Sequence, residues 1–180
     1  PMKIAYIVGS LASQSLNRGL AKALASLAPE GVEFVELPIA DLPLYNRDYD
    51  GHWPEVATRF KQGILDADGV LLITPEHNRM YSAALANALE WSSRPWGTAA
   101  LVGKPVAIAG VSPSQLGTAL AQSHLRGPLN FFGADLMEQP ELYLNATQAG
   151  VTADGDVAEE SRDYLAGFVE AFVERIRTGQ

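Results

Sequence analysis

The run Gly69-Val70-Leu71-Leu72-Ile73 carries no polar side chain and passes directly into Thr74-Pro75-Glu76-His77-Asn78. A continuous apolar run of this length suits a strand buried on both faces, the situation in parallel sheets covered by helices. Ile4 to Val8 is a second, similar run, and it ends at Gly9-Ser10. Strands that empty into polar loops and then into helices bind ligands at the carboxyl ends of an open α/β sheet. Those two loops are where the chemistry is expected.

The rest of the chain repeats the pattern. Leu16, Leu20, Leu24 and Leu27 recur at helical spacing behind polar starters. Val32 to Leu37 reads as a second strand, followed by a loop with Pro38 and Pro43 that reaches about Pro54. Phe60, Ile64 and Leu65 mark a helix that feeds the strand Gly69 to Thr74. A third helix, Ala83 to Trp91, is stopped by Arg94-Pro95-Trp96-Gly97. Lys104 to Val111 is a fourth strand, with Pro105 tolerable at its start. Gly117 to about Phe132 reads as a helix, and a fifth strand lies within Leu136 to Leu144. Leu165, Phe168, Val169, Phe172, Val173 and Ile176 form the stripe of a closing helix.

Five strands alternating with five helices imply a parallel sheet joined by right-handed crossovers, with helices on both faces. In the flavodoxin-like order 2-1-3-4-5, strands one and three flank the point where the order reverses. Residues 1–180 are thus expected to form a single α/β domain, a three-layer sandwich around a five-stranded sheet. Asp48 to Trp53 reads as a solvated turn, since its faint likeness to a calcium loop has Arg59 where a bidentate glutamate is needed.

Composition narrows the function. Thirteen basic against twenty-one acidic residues leave a net charge of -8, which repels nucleic acid and anionic membranes. The absence of cysteine removes thiolate catalysis, iron-sulfur ligation and thiolate zinc sites, so redox chemistry would need a bound cofactor. No stretch approaches the roughly 18 apolar residues of a membrane helix, and the chain enters its first strand without a leader pattern. A soluble, cytoplasmic protein is expected.

Ser10, Ser13, Ser15, Leu16 and Asn17 surround the start of the first helix, where free N–H groups and the positive dipole end favour an anion. Ser13 or Ser15 can equally be a plain helix cap. Only Gly9 of a dinucleotide fingerprint is present and no Walker loop exists, so one terminal phosphate suits the loop better than a pyrophosphate. Pro75, Glu76, His77 and Asn78 offer main-chain groups held stiff by proline, suited to the edge of a flat ring; alternatively, Glu76 or Asn78 caps the next helix. Ser112, Ser114, Gln115 and Gly117 follow the fourth strand on the same side of the sheet. Arg79, Arg94 and Arg126 are candidates for a cationic rim toward a nicotinamide cofactor or substrate. Neither a second histidine at helical spacing from His77 nor a nucleophile elbow at Gly110-Val111-Ser112-Pro113-Ser114 is present, so no metal site and no hydrolase triad are expected.

Taken together these segments resemble the NAD(P)H-dependent FMN reductase family over nearly the whole chain. Gly9-Ser10 with Ser15 and Asn17 is similar to its phosphate loop, and Pro75-Glu76-His77-Asn78 to its Pro-Glu-Tyr-Asn flavin loop. Leu85, Asn87, Ala88, Trp91, Ser93 and Arg94, then Gly103-Lys104-Pro105 and His124-Leu125-Arg126, continue the likeness. Ala12 stands where the family usually has arginine, and His77 where it has tyrosine. The resemblance implies bound FMN, with NADH or NADPH as hydride donor. It also implies ping-pong transfer to quinones, ferric complexes, chromate or free flavin, in a homodimer or homotetramer. Ser10, Ser15 and Asn17 would hold the phosphate and Glu76 to Asn78 the ring edge, with no protein group as acid or base. A flavodoxin-type electron carrier and an FMN-free interaction protein share the fold and stay open.

Overall fold

The computed structural model describes residues 1–179. A parallel sheet has β1 (Met2–Val8), β3 (Gly69–Ile73) and β4 (Pro105–Ser112) at its centre. β2 (Val32–Glu36) lies beyond β1, and β5 (Asp135–Leu136) beyond β4, in the expected order 2-1-3-4-5. Successive side chains of a strand point to opposite faces. Ala5, Ile7, Val70, Leu72, Val106 and Ile108 meet one layer, built from α2 (Glu55–Asp66), α3 (Ala83–Ser93) and α4 (Ala119–Phe132). Ile4, Val8, Leu71, Ile73, Ala107 and Ala109 meet the other, built from α1 (Leu16–Ser26) and α6 (Glu159–Thr178). Every residue of β3 is buried, which is why its sequence never alternates.

The fifth strand is two pieces. β5 pairs with Pro105–Val106, whereas β6 (Tyr143–Asn145) pairs with Gly110–Ser112. Pro140 lies between them and has no N–H to give a ladder, so pairing resumes only where Leu142 accepts from Gly110 N–H at 3.2 Å. The short helix α5 (Ala146–Ala149) follows β6, so six α-helices rather than five are present among the described residues. α4 begins at Ala119 and not at Gly117, because Gly117 and Thr118 both adopt left-handed backbone angles, φ 53° and 70°. Phe60 and Ile64 of α2 face the core as the periodicity requires, while Leu65 is half exposed.

The segment expected as a solvated turn is a 3-10 helix, Arg47–Gly51. Tyr45, Tyr49 and Trp53 stand around the buried ring of Trp91, with centroids 5.0, 5.3 and 5.1 Å away. The preceding loop is strapped to α3: Trp91 Nε1 and Asn87 Nδ2 donate to the Pro43 carbonyl at 2.7 and 3.0 Å, and Asn87 Oδ1 accepts from Tyr45 N–H. Acidic side chains in a turn disguised the aromatic contacts beside them. No helix among the described residues is long and apolar enough to cross a membrane.

Candidate functional site

The loops after β1, β3 and β4 meet at the carboxyl edge of the sheet. Gly9 is the point of closest approach: its N–H donates to the Ile73 carbonyl at 2.8 Å, and a Cβ there would lie 3.0 Å from Pro75 Cδ and 3.2 Å from Ser82 Oγ. Ser82 Oγ donates to the Gly9 carbonyl at 2.6 Å and accepts from Leu85 N–H at 3.1 Å. One hydroxyl thus ties the first loop to the second and caps α3, a role expected of Glu76 or Asn78. Serine directly before an apolar helix was the sequence signal for it.

The first loop continues through exposed Leu11 to Gln14 and re-enters at Ser15. Ser15 Oγ accepts from Arg18 N–H at 3.1 Å, so the capping alternative is realised there. The cap leaves the N–H groups of Leu16 and Asn17 at the open end of the helix. Asn17 is buried, and its amide grips the main chain of Val111, donating from Nδ2 to O at 3.0 Å and accepting at Oδ1 from N at 2.9 Å. The amide thus fastens α1 to β4, which leaves the main-chain N–H of Asn17 and the second Nδ2 hydrogen for an anion. Arg18, the nearest cation in sequence, is 2.5 Å from Glu36 on β2. Burial and the Glu36 carboxylate raise the pKa of the neighbouring Tyr6 phenol, with Arg18 opposing.

After β3, Thr74 and Pro75 are buried and the chain turns sharply. His77 and Met80 exchange both main-chain hydrogen bonds, at 2.8 and 2.9 Å, around Asn78 (φ 54°) and Arg79 (φ 67°). Two left-handed central residues make a turn of the I′ kind. The turn consumes the main-chain groups of His77, so its expected contact with a ring edge is not free; the His77 side chain is exposed. Glu76 turns inward with only 6% of its side chain exposed, and its Oε1 accepts from Ala121 N–H of α4 at 2.9 Å. Its second oxygen lies 3.6 Å from Arg79.

The third loop is folded on itself. Ser112 Oγ and Ser114 Oγ are 3.0 Å apart, Ser114 N–H donates to Ser112 Oγ, and Asn145 Nδ2 donates to the carbonyls of Pro113 and Ser114. Gly117 faces the main chain of Tyr143 and Leu144, where a Cβ would stand 2.8 Å away, so it serves the approach of β6 rather than a ligand. Between the second and third loops opens a cavity of about 350 Å³ lined by Glu76, Asn78, Arg79, Ser112, Pro113 and Ser114. Five of these six were singled out in the sequence, and the structure brings them together.

Two of the candidate arginines lie elsewhere. Arg94 caps the far end of α3, about 18 Å along the helix from Ser82 by the rise per residue, and its guanidinium stacks near Tyr45 and Trp96. Arg126 reaches the Tyr143 hydroxyl at 3.3 Å. A larger groove of about 840 Å³ runs between α3 and α4 and includes Leu89, Trp96, Val102, Phe131 and Phe132. Trp96 and Phe131 are 74% and 72% exposed there, with their rings 6.1 Å apart. It is apolar and lies off the strand ends, so the smaller cavity is the better candidate for chemistry.

The residues fit a flavin mononucleotide. A cradle closed by Gly9 would be narrowed by any Cβ, Ser10 and the N–H groups of Leu16 and Asn17 offer neutral donors for one phosphate, and the cavity beside Ser112 and Ser114 accepts a flat polar ring. A family model described as NADPH-dependent FMN reductase matches residues 2–149. The chain is 49% identical to a 2-hydroxy-1,4-benzoquinone reductase of a Burkholderia species, over 98% of this chain and 97% of that one. It is 38% identical to a quinone reductase of Pseudomonas putida, over 97% and 94%. FerB, the flavoenzyme NAD(P)H:(acceptor) oxidoreductase of Paracoccus denitrificans, superposes with a TM-score of 0.92 at 42% identity, over 99% of both chains.

Proposed function

The chain belongs to the NADPH-dependent FMN reductase family, and from that premise we propose that this NAD(P)H-dependent, FMN-containing oxidoreductase delivers its electrons to quinones, hydroxylated 1,4-benzoquinones included. The observation that carries the reading is the junction of three loops at the carboxyl edge of the sheet around one polar cavity, supported by the likeness to quinone reductases. When bound, FMN accepts hydride from the nicotinamide and passes two electrons on.

What the protein supplies is position. Leu16 and Asn17 N–H and the Ser10 hydroxyl take the phosphate, while Asn17 and Ser82 hold their loops rigid from behind. The N–H groups of Glu76 and Asn78, left over by the turn, and the serines of the third loop would hold the ring. The Glu76 carboxylate is committed to α4, so no side chain in the cavity is poised as an acid or base. Donor and acceptor would use the one polar cavity in turn, a ping-pong scheme. The largely apolar α3–α4 groove, which Arg94 itself lines, joins two copies of the chain, and only across such a contact would Arg94 approach the polar cavity between the second and third loops.

Purified protein settles the reading in three measurements. Acid-released flavin should chromatograph as FMN and not as FAD. NADH or NADPH oxidation should require a quinone and give parallel double-reciprocal plots. Sedimentation should report at least a dimer, lost on changing Trp96 and Phe131 to serine. Flavin without NAD(P)H oxidation would instead mark an electron carrier, and absence of flavin affinity would exclude both.

A further inference from the structure

We propose that Arg79 is the anchor for an anionic acceptor, the deprotonated form of a 2-hydroxyquinone, at the rim of the cavity between the second and third loops. The inference rests on the quinone reading above and names the residue that selects the ionised acceptors within it.

Arg79 is the one cationic side chain among the residues that line this cavity. The side chain is 64% exposed, and its nearest carboxylate, Glu76, is 3.6 Å away with its other oxygen already taken by Ala121 N–H. The guanidinium is therefore loosely held and open to a visitor, whereas Arg18 and Arg175, 35% and 30% exposed, stand 2.5 Å from Glu36 and Asp135. Its backbone is informative too. At φ 67° a non-glycine residue is strained, and the second central position of such a turn is one that glycine fills best. Asn78 before it tolerates the left-handed region; an arginine does so only at a cost. Glycine would make the same turn more easily, so what Arg79 contributes is its side chain.

A 2-hydroxy-1,4-benzoquinone is a vinylogous carboxylic acid and is ionised at neutral pH. Its enolate oxygen and the adjacent carbonyl oxygen sit on neighbouring carbons, as two acceptors for the guanidinium fork. A chain of net charge -8 repels such an anion on average, so a local cation is needed to hold it. In the net reaction the anion gains one hydride from NAD(P)H and two protons from solvent, giving the neutral benzenetriol and NAD(P)+. Unsubstituted 1,4-benzoquinone has no charge for Arg79 to select.

The test uses the FMN-loaded protein with Arg79→Gly and Arg79→Lys. Arg79→Gly relieves the turn, so its thermal midpoint should not fall, and lost affinity cannot be lost folding. Binding of 2-hydroxy-1,4-benzoquinone to the oxidised protein, without any nicotinamide, is followed by calorimetry at two ionic strengths. The dissociation constant should rise about tenfold to a hundredfold in Arg79→Gly and less in Arg79→Lys, and the parent's salt dependence should shrink with the charge. The ratio of kcat/KM for 2-hydroxy-1,4-benzoquinone to that for 1,4-benzoquinone should fall by the same factor. An unchanged ratio with unchanged binding overturns the proposal. So does slower flavin reduction by NADPH, but not by NADH, with both acceptors unaffected, which would place Arg79 on the nicotinamide cofactor's phosphate. If the parent reduces neither quinone, the quinone reading fails by itself, and the calorimetry still decides whether Arg79 binds the anion.

Discussion

The loops after β1 and β3 sit side by side at the same edge of the sheet and present opposite chemistry to an anion. Residues 9–17 offer neutral donors on a rigid frame: Ser82 grips Gly9, Asn17 grips Val111, and Arg18, the next residue, is held by Glu36. Residues 75–80 project as a tight turn with a cation near its tip. Fixed N–H groups around a helix end give position with little reorganisation, which suits a phosphate that stays bound. A flexible guanidinium gives attraction over a longer distance, which suits a ligand that arrives and leaves.

The largest expected effect comes from breaking the rigid side. Asn17→Ala removes two buried hydrogen bonds and strands the N–H and carbonyl of Val111, for a loss of about 3 kcal/mol in unfolding free energy. Urea titration measures it, and a loss below about 1 kcal/mol would mean that water replaces the amide and that the frame is not held there. Next is the missing cation. Ala12→Arg should tighten FMN binding about tenfold, with a salt dependence the parent lacks, and Glu36→Gln, which frees Arg18, about threefold. Unaltered flavin fluorescence titrations for both would remove the phosphate from this loop.

A smaller effect concerns the ground beneath the first loop. The pKa of Tyr6 is raised, chiefly by burial and then by Glu36, so the native state favours the neutral phenol. Its contribution is complete below the ordinary tyrosine range near about pH 10 and is lost as pH climbs through the raised folded value. Tyr6→Phe should therefore flatten the alkaline decline in stability above about pH 10, seen in melts across that range; an unchanged decline would assign it to other groups. The smallest effect belongs to the second loop. His77→Tyr should leave turnover within about threefold, because the His77 main chain makes the turn and its side chain faces solvent. A thousandfold loss with FMN still bound would give His77 a chemical role.

Much of the architecture was legible because it is local. The uninterrupted apolar run of β3, the leucine spacing of α1 and the stripe of α6 each follow from the period of one element. The order of elements then left little choice of topology. The cavity residues were legible for the same reason, since loops after parallel strands must emerge at one edge. Where local pattern misled, a distant partner had intervened. Pro140 split a strand that the apolar residues on either side suggested was whole, and Trp91 recruited Tyr49 and Trp53 from a segment that reads as polar.

By itself the sequence determined that there would be a sheet of buried parallel strands, which loops would gather at its edge, and that no cysteine chemistry was on offer. Only the tertiary structure decided which of those polar side chains are free. The Asn17 amide looks like a ligand group in the sequence and the Glu76 carboxylate like a cap for the next helix, yet one grips Val111, 94 positions away, and the other Ala121, 45 positions away. Arg18 and Arg79 look equivalent, yet one is paired at 2.5 Å with a strand neighbour and the other, 3.6 Å from Glu76, is held out to solvent by a turn. A hydrogen bond or ion pair acts over a few ångströms of space, and spacing along the chain says little about that distance once the residues lie in different elements.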